Sequence, residues 1–250
     1  MDIAYSFISE KGTRANNEDS IDCYIDDIKK KAFFALADGL GGHQSGEIAS
    51  KTAVETAIKS LQYDNDLDKA FINAQNKVVD LQTMQYKGMR TTLCILKILN
   101  DTAYIGHIGD SRIYYFRNDK YIFRTKDHSV PQMLADAGEI SEEEIRFNED
   151  RNRLLRVIGE ECSSSMHELS APIKLNRWHF FDKNCRNAFL LCSDGWWELI
   201  NEKEMSETLK YSLTPEEWLE NMKKYIIKAG RELDMDNFSA IAVFINYVGK

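Results

Sequence analysis

The stretch Ala32-Phe33-Phe34-Ala35-Leu36-Ala37-Asp38-Gly39-Leu40-Gly41-Gly42-His43 decides the fold and contains the first candidate functional residue. Its apolar first half predicts a buried strand, and a helix is predicted to begin near Ser45. Asp38 then lies at the end of a strand, beside glycines that let the backbone approach a ligand. A carboxylate next to bare backbone carbonyls suits a hard divalent cation. The alternative for this stretch alone is a turn in which Asp38 only caps the helix.

Composition restricts the classes of protein that this chain can belong to. It has 250 residues, 43% of them hydrophobic, and a net charge of -8, which is typical of a globular protein and gives no basic patch for nucleic acid. No apolar run approaches the roughly 20 residues of a membrane span, and no signal peptide is recognised. The odd number of scattered cysteines, five, predicts free thiols in a reducing cytosol. We therefore expect a cytoplasmic protein that binds neither nucleic acid nor membrane.

Hydrophobic periodicity predicts strands and helices along the whole chain. Strands are predicted at 3–8, 20–25, 32–37, 90–98, 102–108, 112–116, 121–124, 167–173, 178–181, 187–193 and 238–247. Helices are predicted around 49–61 and 67–81 and from Thr214 to about Leu233. The first three strands are expected to be antiparallel neighbours, because their connections are too short for crossovers, and the strands at 90–124 are expected to form a meander. Residues 126–159 are predicted to leave the sheet with short helical pieces.

Several acidic residues share one context, the end of an apolar strand or the turn beside it. They are Glu18, Asp19, Asp38, Asp110, Asp194 and Asp236. Strand ends of one sheet can meet at one edge, so these carboxylates are expected to form a single acidic pocket. Clustered carboxylates repel unless cations neutralise them, and ligation by oxygen alone favours magnesium or manganese over zinc. Each of these residues taken alone could equally be an ordinary turn residue.

Seven short motifs occur in a fixed order from Arg14 to Asn237. They are Arg14-x-x-Asn17-Glu18-Asp19, Asp38-Gly39-x-Gly41-Gly42-His43-x-x-Gly46-Glu47, Thr91-Thr92, Gly109-Asp110-Ser111-Arg112, Lys126-Asp127-His128-Ser129, Ser193-Asp194-Gly195 and Asp236-Asn237. Together they resemble the metal-dependent serine/threonine protein phosphatase family, type 2C, in its compact bacterial form. The resemblance implies an α+β fold, a four-layer α-β-β-α sandwich of two antiparallel sheets flanked by helices. It also implies a single catalytic domain over residues 1–250, with a flap at about 130–155 beside the active site.

The same resemblance implies metal ligands at numbered positions of this chain. Asp38 would bridge two Mn²⁺ or Mg²⁺ ions, and the Gly39 carbonyl would be a further ligand. Asp194 and Asp236 would complete the first site, and Glu18 would act mostly through bound water. Two such ions can generate hydroxide near neutral pH and polarise a phosphoryl group. The implied reaction is direct attack of a metal-bridging hydroxide on the phosphorus of phosphoserine or phosphothreonine.

Two further roles follow from the resemblance. Asp110 with Asp194 matches the position of a third, weaker metal in bacterial members. Arg14 would clamp the phosphate oxygens with its planar guanidinium, or else it is a surface arginine paired with Glu18 or Asp19. The implied partners are phosphoproteins and a cognate serine/threonine kinase that the enzyme opposes, and we expect a monomer.

Departures from the family pattern leave other interpretations open. Leu40 stands where many eukaryotic members have a histidine, and His43 has no assigned role. Arg90 replaces the usual glycine before the paired threonines. The five histidines form no partner set for a nucleophile, and His107 and His179 are expected to be ordinary strand residues.

The alternatives are a catalytically weak phosphatase-like domain that binds a phosphoprotein and a metal-dependent phosphodiesterase that acts on nucleotides.

Overall fold

The computed structural model of the protein describes residues 2–40, 45–82, 88–160, 167–175 and 184–248. The strands in these residues are β1 (Asp2–Glu10), β2 (Asp19–Asp26), β3 (Lys31–Leu40), β4 (Arg90–Thr91), β5 (Leu93–Leu99), β6 (Thr102–Ile108), β7 (Arg112–Arg117), β8 (Lys120–Arg124), β9 (Glu168–Leu169), β10 (Ile173–Lys174), β11 (Asn184–Cys192) and β12 (Phe238–Val248). The helices are α1 (Ser45–Asp64), α2 (Leu67–Leu81), α3 (Val130–Asp136), α4 (Asp194–Trp197), α5 (Glu202–Lys210) and α6 (Pro215–Ala229), with a 3₁₀-helix at Ile145–Phe147.

The strands form two antiparallel sheets. One sheet has five strands in the order β1-β12-β11-β7-β8. The other has seven strands, with the order β10-β6-β5-β3-β2 and with β4 beside β3 and β9 beside β6. Every strand pair that is described runs antiparallel.

Three layers of buried apolar side chains hold the sheets and helices together. Strand β3 shows the arrangement, because successive side chains of a strand point to opposite faces. Phe33 and Ala35 pack with α1 and α2, whereas Phe34 and Leu36 pack between the two sheets. A third cluster packs α4, α5 and α6 on the outer face of the five-stranded sheet. The predicted four-layer sandwich of two antiparallel sheets flanked by helices is confirmed.

Two expectations about strand neighbours are wrong. Strand β1 does not pair with β2: it pairs with β12 over nine residues, from Asp2 with Asn246 to Glu10 with Phe238. The meander also breaks after β6, because β6 and β7 belong to different sheets. The chain crosses between the sheets at Gly109, whose φ of +98° is a conformation that glycine adopts at little cost.

The local signals for helix starts behave as their chemistry predicts. The Thr214 side chain accepts a hydrogen bond from the Glu217 N–H at 3.2 Å, and Pro215 occupies the first turn of α6. Helix α6 ends at Ala229, so the predicted extension to Leu233 is wrong. The sequence pattern at Ser141 and Glu144 gives only half of a capping box: Oε2 of Glu144 accepts from the Ser141 N–H at 2.7 Å, and the 3₁₀-helix that follows begins without a side-chain cap.

The flap at about 130–155 is closed at its root. Ser129 and Leu154 form an antiparallel bridge, and the Leu155 N–H donates to the His128 carbonyl at 2.8 Å. The predicted strand at 178–181 and the turn residues 41–43 lie outside the described residues. No helix in the described part of the chain is both long and apolar enough to cross a membrane.

Candidate metal centre

One pocket of about 520 Å³ is lined by every residue for which the family resemblance implies a catalytic or metal role. These residues are Arg14, Glu18, Asp38, Gly39, Asp110, Asp194 and Asp236. Asp19, which was also expected in the acidic pocket, does not line it: it is buried and accepts a hydrogen bond from the Ser193 hydroxyl at 2.8 Å. Asn152 and Leu154 of the flap also line the pocket, as does Leu40. Residues far apart in the sequence thus meet at one place, and the flap lies beside it.

The paired threonines fix the backbone of Asp38. The Asp38 N–H donates to Thr92 Oγ1 at 2.8 Å, and the Asp38 carbonyl accepts from the Thr91 hydroxyl at 2.8 Å and from the Thr92 N–H at 2.9 Å. Beside it, a side chain at Gly39 would collide with the Gly46 carbonyl at the start of α1. The absence of a side chain at Gly39 therefore lets α1 approach β3 closely. Strand β3 supplies one wall of the pocket.

Asn237, which also lines the pocket, joins two distant segments of the chain. Its side-chain oxygen accepts from the Glu18 N–H at 2.8 Å, and its side-chain NH₂ donates to the carbonyls of Lys11 and Asn16 at 2.9 Å each. The loop that carries Arg14 is consequently anchored to the start of β12, where Asp236 lies.

Asp110 and Asp194 are held by a buried polar network. Asp194 begins α4 directly after β11, and the indole N–H of Trp197 in α4 donates to the Asp110 carbonyl at 2.9 Å. The Arg112 guanidinium lies 3.4 Å from the centre of the Trp197 ring and makes two hydrogen bonds, of 2.7 and 2.8 Å, to Asp127. The motif residues Arg112 and Asp127 thus position the pocket without lining it.

The pocket is electrostatically unfavourable without cations. Burial first, and then the charges of Asp194 and Asp19, raise the pKa of Asp38 well above its usual value. The pKa of Asp194 is also raised well above its usual value, by burial and then by Asp110 and Glu198. Burial, with a contribution from Asp127, raises the pKa of Asp110 to about 7. A divalent cation would remove this penalty by favouring the ionised carboxylates.

The donor chemistry fits a hard cation. Oδ1 of Asp194 and Oδ1 of Asp19 are buried and have no hydrogen-bond partner among the described residues. A buried polar atom without a partner is unusual in a folded protein and calls for a ligand. All the candidate donors are oxygens, which suit Mg²⁺ or Mn²⁺.

Arg14 lies at the mouth of the pocket with half of its side chain exposed. Its Nε and Nη2 donate to the two carboxylate oxygens of Asp236 at 3.0 and 2.8 Å. The partner expected for Arg14 from the sequence is Glu18 or Asp19, whereas its partner in the structure is Asp236. This bidentate pair shows that the guanidinium fork reaches the Asp236 carboxylate beside the pocket.

Glu198 is a pocket neighbour that the sequence analysis missed. Its charge contributes to the raised pKa of Asp194, and burial raises the pKa of Glu198 itself. Its Oε1 accepts from Nε of Arg151 in the flap at 2.7 Å. The available signal was spacing, because Glu198 lies four residues after Asp194 and side chains four apart share one helical face.

The four-layer sandwich and its acidic pocket define the class, an α+β protein with a carboxylate-rich site suited to divalent cations. The particular family follows from comparison with known proteins. The model of the family described as Protein phosphatase 2C matches residues 9–229. The chain belongs to the protein phosphatase 2C family, and the predicted family and enzyme class are confirmed.

Individual relatives cover almost the whole chain. The serine/threonine phosphatase stp of Listeria innocua is 30% identical over 257 residues, which span 98% of this chain and 96% of that protein. The crystal structure of the Mycobacterium tuberculosis serine/threonine phosphatase PstP/Ppp is 27% identical, with a TM-score of 0.80 over 98% of this chain and 99% of that one. A structure of the PstP catalytic domain in complex with two manganese ions is also 27% identical, with a TM-score of 0.76 over 97% and 98%.

Proposed function

We propose that the protein hydrolyses phosphoserine and phosphothreonine in proteins, in a reaction that requires Mn²⁺ or Mg²⁺, and that it opposes a serine/threonine kinase. The observation that carries this proposal is the convergence of five carboxylates in one pocket of a phosphatase-family fold, with a buried oxygen of Asp194 that has no hydrogen-bond partner among the described residues. The chain acts in this proposal as a single catalytic domain over residues 1–250, as a monomer and in the cytoplasm.

The metal ligands in this proposal are the predicted ones. Asp38, the Gly39 carbonyl, Asp194 and Asp236 would hold the two ions, and Glu18 would contribute through bound water. When bound, two divalent cations supply an activated water nucleophile near neutral pH and neutralise phosphoryl oxygens. The two manganese ions in the structure of the PstP catalytic domain support a two-ion site of this kind.

A third, weaker ion has its own place in the proposal. Asp110 and Asp194 both line the pocket, and each carboxylate contributes to the raised pKa of Asp38. The Asp110 carboxylate is therefore a candidate ligand beside the first site. The Trp197 indole holds the Asp110 backbone in place through its hydrogen bond to the carbonyl. We assign the third ion to Asp110 and Asp194.

The chain's own side chains orient the substrate. Arg14 exchanges its two hydrogen bonds to Asp236 for two hydrogen bonds to phosphate oxygens, which a planar guanidinium can do and an ammonium cannot. Leu40 at the wall offers no proton, and the described residues that line the pocket include no histidine. In this proposal a bound water molecule protonates the leaving alkoxide.

The test is phosphate release from a phosphothreonine peptide in the presence of Mn²⁺. Asp38→Asn should abolish release, because it removes the bridging charge, and an EDTA-treated wild type should be inactive until Mn²⁺ is restored. The exposed Asp27, in the turn between β2 and β3, supplies the matched control Asp27→Asn, which should keep full activity. Full activity of Asp38→Asn, or of the wild type in EDTA, would overturn the mechanism.

The second candidate, a phosphoprotein-binding domain with weak catalysis, predicts a different pattern. It requires phosphopeptide binding by the wild type without turnover in either Mn²⁺ or Mg²⁺. The intact set Asp38, Asp194 and Asp236 favours the enzyme, because a binding domain has no need for this repulsive cluster.

A further inference from the structure

A second group of possible ligands lies outside the carboxylate pocket. His107 in β6 and Glu168 in β9 are register partners across the two strands, and His128 lies at the root of the flap. One ligand atom from each of these three side chains lies within 4.8 Å of the other two. None of the three residues lines the carboxylate pocket.

The two imidazoles are buried with unused nitrogens. His107 is 1% exposed and His128 is 8% exposed, and their rings stack with centroids 4.7 Å apart. Nε2 of His107 lies 2.6 Å from the Lys126 carbonyl, so it carries the proton and Nδ1 keeps a free lone pair. Nδ1 of His107 and Nε2 of His128 have no hydrogen-bond partner among the described residues.

We propose that His107, His128 and Glu168 form a second metal site that takes a borderline transition ion such as Zn²⁺. Two imidazoles and one carboxylate are a common set of three protein ligands for zinc, with solvent in the fourth position. The Glu168 side chain is 57% exposed, so an ion and a water molecule can reach the site. The site differs from the pocket in chemistry, because imidazole favours zinc-like ions whereas carboxylates and carbonyls favour Mg²⁺ and Mn²⁺.

The geometry and charge state of the site fit this assignment. Nε2 of His128 and Oε2 of Glu168 are 3.6 Å apart, close to the roughly 3.4 Å that tetrahedral ligands at zinc bond lengths require. The Lys126 carbonyl fixes the orientation of His107, as outer-shell acceptors do for metal-bound histidines. Burial lowers the pKa of His107, and burial followed by the charge of His107 lowers the pKa of His128 to about 3, so both rings are neutral, which is the form that binds metal.

His128 must change one hydrogen bond to bind the ion. Its Nδ1 accepts from the Gly109 N–H at 3.2 Å, so the ring proton is on Nε2 in the metal-free protein. When Nε2 takes the metal, that proton moves to Nδ1 and the bond to Gly109 breaks. The Gly109 amide, next to Asp110, therefore becomes a direct reporter of binding.

The experiment is a calorimetric Zn²⁺ titration in excess Mg²⁺, with the visible spectrum of the Co²⁺ form as a second readout. Wild type should bind one Zn²⁺ that Asp38→Asn retains, because Asp38 belongs to the other site. Glu168→Gln and His107→Asn should weaken this binding by at least about 10-fold, the lower end of what loss of an outer-shell partner alone costs. The Co²⁺ form should show four-coordinate bands that both substitutions remove.

The matched control is His167→Asn, next to Glu168 in sequence. His167 pairs with Asp68 at 2.8 Å and stacks on Phe71, so its loss should leave Zn²⁺ affinity unchanged. Zinc binding that survives both Glu168→Gln and His107→Asn, or that disappears only in Asp38→Asn, would overturn the proposal. A Gly109 amide resonance that does not shift on Zn²⁺ addition would overturn the role of His128. Because Glu168 is exposed, Glu168→Gln should fold, and it keeps the test valid if His107→Asn fails to fold.

Discussion

Substitution of Asp110 by asparagine should stabilise the metal-free protein, and the gain should grow with pH. Asp110 is 5% exposed, and burial raises its pKa from 3.8 to about 7 in the folded protein. The unfolded chain therefore gives up this proton at a lower pH than the folded protein does. The contribution of Asp110 to the free energy of unfolding is therefore greatest below about pH 4. It falls as the pH rises to about 7, because over this range the carboxyl ionises in the unfolded chain but not in the folded protein.

The magnitude follows from the size of the shift. One pKa unit corresponds to about 1.4 kcal/mol. Between pH 5 and about pH 7, roughly two pH units, Asp110 is ionised in the unfolded chain but still protonated in the folded protein. The wild type should lose roughly 2 to 3 kcal/mol through Asp110 over this interval. The asparagine side chain of the Asp110→Asn variant has no proton to lose, so the difference between the two proteins should widen by that amount. A constant offset between asparagine and protonated aspartate cancels when the two pH values are compared.

Urea denaturation in EDTA at pH 5 and pH 8 measures this difference. The control is Asp27→Asn, at an exposed turn, and the difference between its free energy of unfolding and that of the wild type should change little with pH. Mn²⁺ should reduce the gain of Asp110→Asn at pH 8, because the ion favours the ionised carboxylate. A widening of less than about 1 kcal/mol, or a gain that shrinks with pH, would refute the assignment of Asp110 as a carboxylate that resists ionisation.

Three other substitutions test separate parts of the structure. Arg14→Ala should raise the KM for phosphopeptide more than it weakens Mn²⁺ binding in a calorimetric titration, and a collapse of metal affinity would show that Arg14 supports Asp236. Thr214→Ala should lower the free energy of unfolding by about 1 kcal/mol in urea, because α6 loses its N-terminal cap. Arg112→Met should destabilise by about 3–5 kcal/mol in the same assay, because the buried Asp127 carboxylate loses its bidentate partner and keeps only Arg124, 3.7 Å away. A second change, Asp127→Leu, should recover much of that loss, and no recovery would contradict the ion-pair explanation.

Local chemistry predicted the parts of the fold that depend on short sequence windows. The helix start at Thr214 and the strand that ends near Asp38 both follow from neighbouring residues. The carboxylates of the pocket were also found, because each shares the same strand-end context and the motifs resemble one family. These signals lie within a few residues of the group that they place.

Long-range pairings were not predictable in this way. Strand β1 pairs with β12, more than 200 residues away, and nothing in the periodicity of either strand specifies its neighbour. Asp236 as the partner of Arg14 depends on the same distant pairing. Glu198 was missed because α4 has only four residues, too few for a helical period to show.

The position of β12 has a consequence for synthesis on the ribosome. This strand lies between β1 and β11 and pairs with both, yet it follows every other described strand in the chain. The seven-stranded sheet can be complete once Lys174 has emerged, whereas the five-stranded sheet stays open until β12 arrives with Asp236 just before it. A nascent chain that stalls before β12 therefore exposes the unpaired edges of β1 and β11, which other chains can bind. Such a chain also lacks one wall of its acidic pocket, so phosphatase activity and a closed sheet should appear together once β12 has emerged.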